Sequence, residues 1–266
     1  MTKEILEQVL QIAIRAGREI LDVYGDEFGV DYKGDGSPLT IADRRAHDLI
    51  EKELGEMDLQ IPVLSEESSS EAFENRSGWD RFWLVDPLDG TKEFVKRNGE
   101  FTVNIALIEG SQPVMGVVHT PVMNVSHFGT RGVGAYKSSG SNPAEPINVR
   151  DLQQNQVTMV ASRSHSGVEV EQFRHNVEQG LGEVDITSMG SSLKICLVAE
   201  GSADIYPRLG PTSEWDTAAA HAVLAAAGGK LVDTGGEALR YNKPDILNPW
   251  FLACGGANVD WTEFLG

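Results

Sequence analysis

Two aspartates three positions apart, Asp86 and Asp89, stand in the string Asp86-Pro87-Leu88-Asp89-Gly90-Thr91, directly after the apolar run Phe82-Trp83-Leu84-Val85. The run reads as a buried strand. Pro87 disfavours helix at Asp86 and lacks the N–H that a continuing central strand needs, so the chain is predicted to turn there. Such a turn can bring both carboxylates and a backbone carbonyl, such as that of Leu88, to one point. Mg²⁺ takes oxygen ligands in near-octahedral geometry, keeps several waters, and is commonly anchored by a few carboxylates plus substrate phosphate. Gly90 permits close backbone approach, and the N–H groups around Gly90 and Thr91 can cradle a phosphate oxygen if a helix starts there. The plainer alternative is that Asp86 and Asp89 only cap a turn, as Asp-Gly sequences commonly do.

Other residues of the same chemistry each have a structural reading beside the functional one. Glu66, in Ser65-Glu66-Glu67, follows the apolar run Ile61 to Leu64 and would sit just beyond a strand end or in a solvated acidic loop. Asp216 opens an alanine-rich helical stretch, Thr217 to Ala227, where a carboxylate also favours the helix dipole. Thr40 and Asp43 have the spacing of a helix-capping pair. Lys194 and Arg208 are isolated basic residues, which are ordinarily solvated. His47, His119, His127, His165, His175 and His221 show no paired ligand spacing.

The elements that must position these residues follow from apolar periodicity. Ile5, Val9, Ile12, Ala16, Ile20 and Tyr24 mark an amphipathic helix ending near Gly25, and a second helix runs from Thr40 with Ala46, Ile50 and Leu54 on one face. Short apolar runs at 61–64, 82–85, 102–108 and 114–119 read as strands. The polar stretch Lys137 to Pro146 reads as a boundary between two lobes, 1–142 and 143–266, or as a long surface loop. Beyond it come a strand at 157–161, a helix at 168–179, then a strand and a helix, Ser191 to Glu200, the helix from Thr217, and a strand at 230–232. Irregular alternation of strands and helices points to layered α/β or α+β architecture.

Composition bounds the partners. The chain has 266 residues, 41% hydrophobic and 23% charged, which suits a globular protein. A formal net charge of -18, from 40 acidic and 22 basic residues, opposes nucleic-acid polymers and anionic membranes. A small anion can still bind where cations reverse the field in one pocket. Cys196 and Cys254 lack the spacing of a zinc site or a disulfide framework. With no signal-peptide or transmembrane run, the expected compartment is the cytoplasm, at most peripheral at the inner membrane.

The string Asp86 to Thr91 resembles the signature of the inositol monophosphatase superfamily of lithium-sensitive, metal-dependent phosphatases, and Trp215-Asp216-Thr217-Ala218-Ala219 resembles its second motif. Thr91-Lys92-Glu93-Phe94, Asn98 to Ala106, Gly190-Ser191-Ser192-Leu193-Lys194 and Tyr206-Pro207-Arg208 look like its bisphosphate nucleotidase branch. The second motif commonly ends in Gly where this chain has Ala220. The resemblance implies a layered αβαβα sandwich and two or three Mg²⁺ ions per site. It assigns Glu66, Asp86, Leu88, Asp89 and Asp216 to the metals. Asp43 paired with Thr91 would orient or deprotonate the attacking water. Gly90, Thr91, Ser191, Lys194, Arg208 and Asp216 would contact substrate, with Ser162-Arg163-Ser164-His165 and the Lys33 loop as further candidates. The implied reaction is hydrolysis of adenosine 3',5'-bisphosphate to AMP and phosphate, linked to sulfur assimilation, in a protein for which a homodimer is compatible. The competing expectations are an inositol monophosphatase or other sugar phosphatase, and a noncatalytic metal-binding regulator.

Overall fold

Successive residues of a strand face opposite sides of a sheet, and here both sides are apolar. In 81–89, Phe82 and Leu84 enter one buried cluster while Trp83 and Val85 enter another. A strand of this kind needs helices on both faces of its sheet. The computed structural model supplies them, and it describes residues 3–25, 30–32, 38–57, 59–68, 73–152, 155–161, 167–256 and 258–266. The candidates Lys33 and Ser162-Arg163-Ser164-His165 lie outside the described residues.

In chain order the elements are α1 (Lys3–Tyr24), β1 (Val30–Tyr32), β2 (Pro38–Thr40), α2 (Ile41–Glu56), β3 (Val63–Ser65), a 3-10 turn (Glu66–Ser68), α3 (Phe73–Arg76), β4 (Arg81–Asp89), α4 (Thr91–Val95), β5 (Thr102–Glu109), β6 (Gln112–Thr120), β7 (Val125–Thr130), β8 (Gly134–Ser139) and β9 (Glu145–Ile147). There follow β10 (Asn155–Ala161), α5 (Val168–Leu181), β11 (Gly182–Ser188), α6 (Leu193–Ala199), β12 (Ile205–Arg208), α7 (Glu214–Ala226), β13 (Lys230–Asp233), β14 (Phe251–Cys254) and a final 3-10 turn (Trp261–Phe264).

Strands β3 to β9 form a seven-stranded sheet in sequence order, antiparallel except for the β3–β4 pair. A five-stranded mixed sheet has the order β11-β10-β12-β14-β13, and β1 pairs with β2. Helices α1 and α2 cover the outer face of the large sheet, α7 lies against β4 through β8 on its inner face, and α6 and α7 meet the small sheet, whose far face carries α5. The order is therefore helix, sheet, helix, sheet, helix, as the family resemblance implied.

One sequence expectation changes, and one strand is added. The polar stretch 137–146 is built into a hairpin, with Lys137 paired to Glu145 across β8 and β9. Strand β7 alternates polar and apolar residues too loosely to be read from the sequence alone, and pairing with β6 and β8 defines it.

The central helix approaches the large sheet unusually closely. Alanines 218, 219, 220 and 222 of α7 are buried, and a Cβ on Gly116 of β6 would stand 2.1 Å from the Ala219 carbonyl oxygen. Ala220, at the position where the family commonly has Gly, fits this interface at 1% exposure. Because the obstacle at Gly116 is backbone, Gly116→Ala has to displace α7. We expect it to lower stability by about 1–3 kcal/mol in chemical denaturation; an unchanged midpoint would contradict the close packing described.

Candidate metal and phosphate site

Asp86 continues the even-numbered face of β4, which points toward α7. Three positions further on, Asp89 would face the opposite side of a regular strand. The register resolves this: Asp86 pairs with Asn104 and Asp89 with Thr102, so three residues of β4 advance while β5 advances two. One extra residue makes a β-bulge. Leu88 is thereby turned into the α1/α2 cluster, and both aspartates face the central helices. The bend expected at Pro87 is thus a bulge inside a continuing strand rather than a turn after it. Gly90 then adopts φ 93°, and α4 begins at Thr91.

Asp216 arrives from the other direction, in the first turn of α7. Among the described residues, Asp86, Asp89 and Asp216 each offer a carboxylate oxygen, and these atoms all lie within 4.8 Å of one another. Each carboxylate also has one oxygen fixed by a backbone donor. Leu88 N–H donates to Asp86 Oδ1 at 3.1 Å, Ser192 N–H to Asp89 Oδ2 at 2.7 Å, and Ser213 N–H to Asp216 Oδ2 at 2.8 Å as half of a capping box. Turn capping and helix capping, the structural alternatives raised by the sequence, are real here. They orient the carboxylates, each of which still offers an oxygen toward a shared cation.

The electrostatics point the same way. Burial, then the charges of Glu66, Asp89, Asp216 and Asp43, hold Asp86 well above the usual carboxylate range. Burial pushes Asp89 up to about 6, against the pull of Lys194 and the Ser192 N–H, while burial and the charge of Asp89 push Asp216 up to about 8. Oxygen donors crowded in this way are relieved by a hard cation, and a cluster without sulfur or imidazole suits Mg²⁺, Mn²⁺ or Ca²⁺. The residues present fit a metal ion.

Asp89 and Asp216 also line a pocket whose walls include Gly90, Ser191, Lys194 and Arg208. Lys194, on the first turn of α6, is 8% exposed; its Nζ donates to the Ser191 carbonyl at 2.7 Å and lies 5.6 Å from the Tyr206 ring centre. Burial lowers it to about 8, with Asp89 opposing and Arg208 reinforcing that shift. Arg208 Nη2 donates to the Pro211 carbonyl at 2.8 Å. One pocket is therefore lined both by carboxylates and by two basic residues.

Glu66, in the 3-10 turn after β3, is half-buried and close enough to raise all three aspartates, although it stands outside the tightest cluster. Asp43 is fully buried in the first turn of α2, and its charge also reaches Asp86. Thr91 Oγ1 donates to the Leu88 carbonyl at a long 3.5 Å. The motif reading passed over Thr102, Asn104 and Ser192, which are buried and hydrogen-bonded together beside Asp89. Their signal was available: polar residues at positions i and i+2 interrupt the inward face of an otherwise apolar central strand.

Residues 1–258 match the model of the inositol monophosphatase family, and the chain belongs to that family. Over 250 residues it is 50% identical to a Salmonella typhimurium protein named 3'(2'),5'-bisphosphate nucleotidase CysQ, with 93% of this chain and 98% of that protein covered. The crystal structure of CysQ from Bacteroides thetaiotaomicron superimposes with a TM-score of 0.85 at 46% identity, covering 95% of this chain and 97% of that one. The Thermotoga maritima IMPase, 23% identical with a TM-score of 0.77 over 94% of this chain and 92% of that one, shares the fold.

A carboxylic acid raised above its ordinary pKa favours the protonated form in the folded state. Its contribution to stability is complete below the ordinary carboxylate range and is lost as pH rises through the raised value. The metal-free protein is therefore expected to lose stability from this cluster between about pH 4 and 8, through about 6 for Asp89 and about 8 for Asp216. Added Mg²⁺ should raise the melting temperature more at pH 8 than at pH 5. Asp89→Asn should flatten both dependences, and equal Mg²⁺ shifts at the two pH values would contradict the shared-cation reading.

Proposed function

We propose that this chain is a Mg²⁺-dependent 3'(2'),5'-bisphosphate nucleotidase that hydrolyses the 3'-phosphate of adenosine 3',5'-bisphosphate to give AMP and inorganic phosphate. The observation that carries the reading is the single pocket joining the Asp86, Asp89 and Asp216 cluster to Lys194 and Arg208. A monophosphate needs only the metal side. A second phosphate gives the buried lysine and the arginine a purpose, and the 50% identity to a protein of that name agrees with it.

In this reading Glu66, Asp86 and the Leu88 carbonyl hold one Mg²⁺, Asp86, Asp89 and Asp216 hold a second, and the site admits a third more weakly. Bound there, the ions supply Lewis acidity toward the phosphoryl oxygens and a more acidic water. The chain does the rest. Asp43 and Thr91 orient the attacking water and receive its proton, while Gly90, Thr91 and Ser191 position the transferred phosphoryl group. Lys194 and Arg208 hold the phosphate that stays. The new bond joins the water oxygen to phosphorus, the bond from phosphorus to the ribose oxygen breaks, and that oxygen takes a proton from solvent as it leaves. The division of labour follows chain order: the segment through α4 brings Asp43, Glu66, Asp86, Asp89 and Thr91, and the segment from α6 onward brings Lys194, Arg208 and Asp216. Among the described residues no helix is long and apolar enough to cross a membrane, and we place the enzyme in the cytoplasm.

Phosphate release from adenosine 3',5'-bisphosphate and from inositol 1-phosphate, each with and without Mg²⁺, tests the assignment. Mg²⁺-dependent release chiefly from the bisphosphate is expected. Preference for inositol 1-phosphate would make the chain an inositol monophosphatase, and no release from either would end the enzyme reading. Asp89→Asn should reduce turnover by at least about 100-fold with the fold intact. Lys194→Ala should cost about tenfold or more on the bisphosphate, the loss of a charged hydrogen bond, and much less on a monophosphate. Equal losses on the two substrates would remove Lys194 from the second-phosphate contact.

A further inference from the structure

The bond that fixes Asp89 and the bond that fixes Lys194 are made by the same peptide group. The Ser191 carbonyl accepts from Lys194 Nζ at 2.7 Å, and the Ser192 N–H joined to that carbonyl donates to Asp89 Oδ2 at 2.7 Å. A peptide unit is planar and stiff, so neither end can be reset without the other. Its setting is unusual. Ser191 has φ 48°, a left-handed conformation that a non-glycine residue adopts only when its surroundings enforce it.

The surroundings that enforce it are visible. Ser191 Oγ reaches the Asp89 carbonyl at 2.9 Å and the Glu100 carbonyl at 2.8 Å. Ser192 Oγ donates its only proton to Asn104 Oδ1 at 2.8 Å, so Thr102 Oγ1, 3.0 Å away, is the donor toward Ser192. Thr102, Asn104 and Ser192 are 0%, 1% and 4% exposed. Thr102 and Asn104 are the cross-strand neighbours of Asp89 and Asp86, which places the clamp against the bulge that carries the metal ligands.

We propose that Ser192, gripped by Thr102 and Asn104, is a positioning residue that aligns Asp89 for the metal and Lys194 for the phosphate through one peptide plane. The metal half of this inference stands on the acidic cluster, and the phosphate half rests on the function proposed above. Loosening the clamp lets the plane rotate, and both partners lose their alignment together. Outer partners of metal ligands characteristically change metal affinity by 10- to 100-fold when removed.

The test measures Mg²⁺ binding to the substrate-free protein by calorimetry, alongside kcat and KM for adenosine 3',5'-bisphosphate at saturating Mg²⁺. Ser192→Ala and Thr102→Val should each weaken Mg²⁺ binding by about tenfold and raise KM by a comparable factor. Thr102→Ser, which keeps the hydroxyl, should restore both. Should Ser192→Ala fail to fold, the Thr102 pair carries the test. Wild-type Mg²⁺ affinity in Thr102→Val, equal defects in Thr102→Val and Thr102→Ser, or a loss of metal affinity with KM unchanged would each overturn the proposal. If wild type binds Mg²⁺ in a clamp-dependent way but does not cleave the bisphosphate, the proposed substrate fails while the role of the clamp at the metal stands.

Discussion

The structure turns on mutual repulsion among three carboxylates. Asp86, Asp89 and Asp216 present oxygens within 4.8 Å of one another, from a strand bulge and from the first turn of a helix that begins 125 or more residues later in the chain by their numbering. Like charges at that separation are unfavourable, and burial worsens the repulsion by removing water. The fold opposes it with directed backbone donors, one per carboxylate, contributed by the bulge itself, by the turn entering α6 and by the N-cap of α7. Those donors cannot remove the repulsion. They fix the orientation of each carboxylate, and so turn an electrostatic liability into a cluster that could hold a cation.

That requirement explains features that otherwise look unrelated. The large sheet has apolar residues on both faces because α7 must reach its inner side to deliver Asp216, while α1 and α2 cover the other. Close approach of α7 needs alanine on the helix and no side chain at Gly116. The same tightness is present at the site: a Cβ on Gly90 would stand 2.3 Å from Ser191 Oγ, and one on Gly190 would stand 2.7 Å from the Glu100 carbonyl. Small residues thus let three chain segments converge where the carboxylates do.

Much of this was legible in the sequence because short-range chemistry carries it. Asp86, Pro87, Asp89 and Gly90 announce an oxygen-rich bend, and the spacing of apolar residues in 3–24 announces α1. The bulge was not legible. Pro87 reads equally as the end of a strand, and only the pairing of Asp86 with Asn104 and Asp89 with Thr102 shows that the strand continues. The β8–β9 hairpin escaped for a similar reason, since the polarity of 137–146 describes its exposed face and not its pairing. Ser192 escaped because its importance lies in a main-chain N–H, which every residue but proline carries, and in partners about 90 positions away.

A net charge of -18 would seem to forbid a ligand with two phosphates. The arrangement of the pocket removes the contradiction by separating the charges according to how each is neutralised. The carboxylates of its lining carry a charge that mobile cations from solution can cancel and then exceed. Lys194 and Arg208 add to the same lining positive charge that is covalently part of the chain. Burial lowers Lys194 to about 8, so its proton is held less firmly in the pocket than in water, and the negative charge of a phosphate beside it strengthens the hold. Under the proposed function, an anion with one phosphate engages only one of these two sets. The peptide of Ser191 and Ser192, bonded to Asp89 through its N–H and to Lys194 through its carbonyl, ties the two sets of charges together, and under the proposed function that tie is what favours a doubly phosphorylated ligand over a singly phosphorylated one.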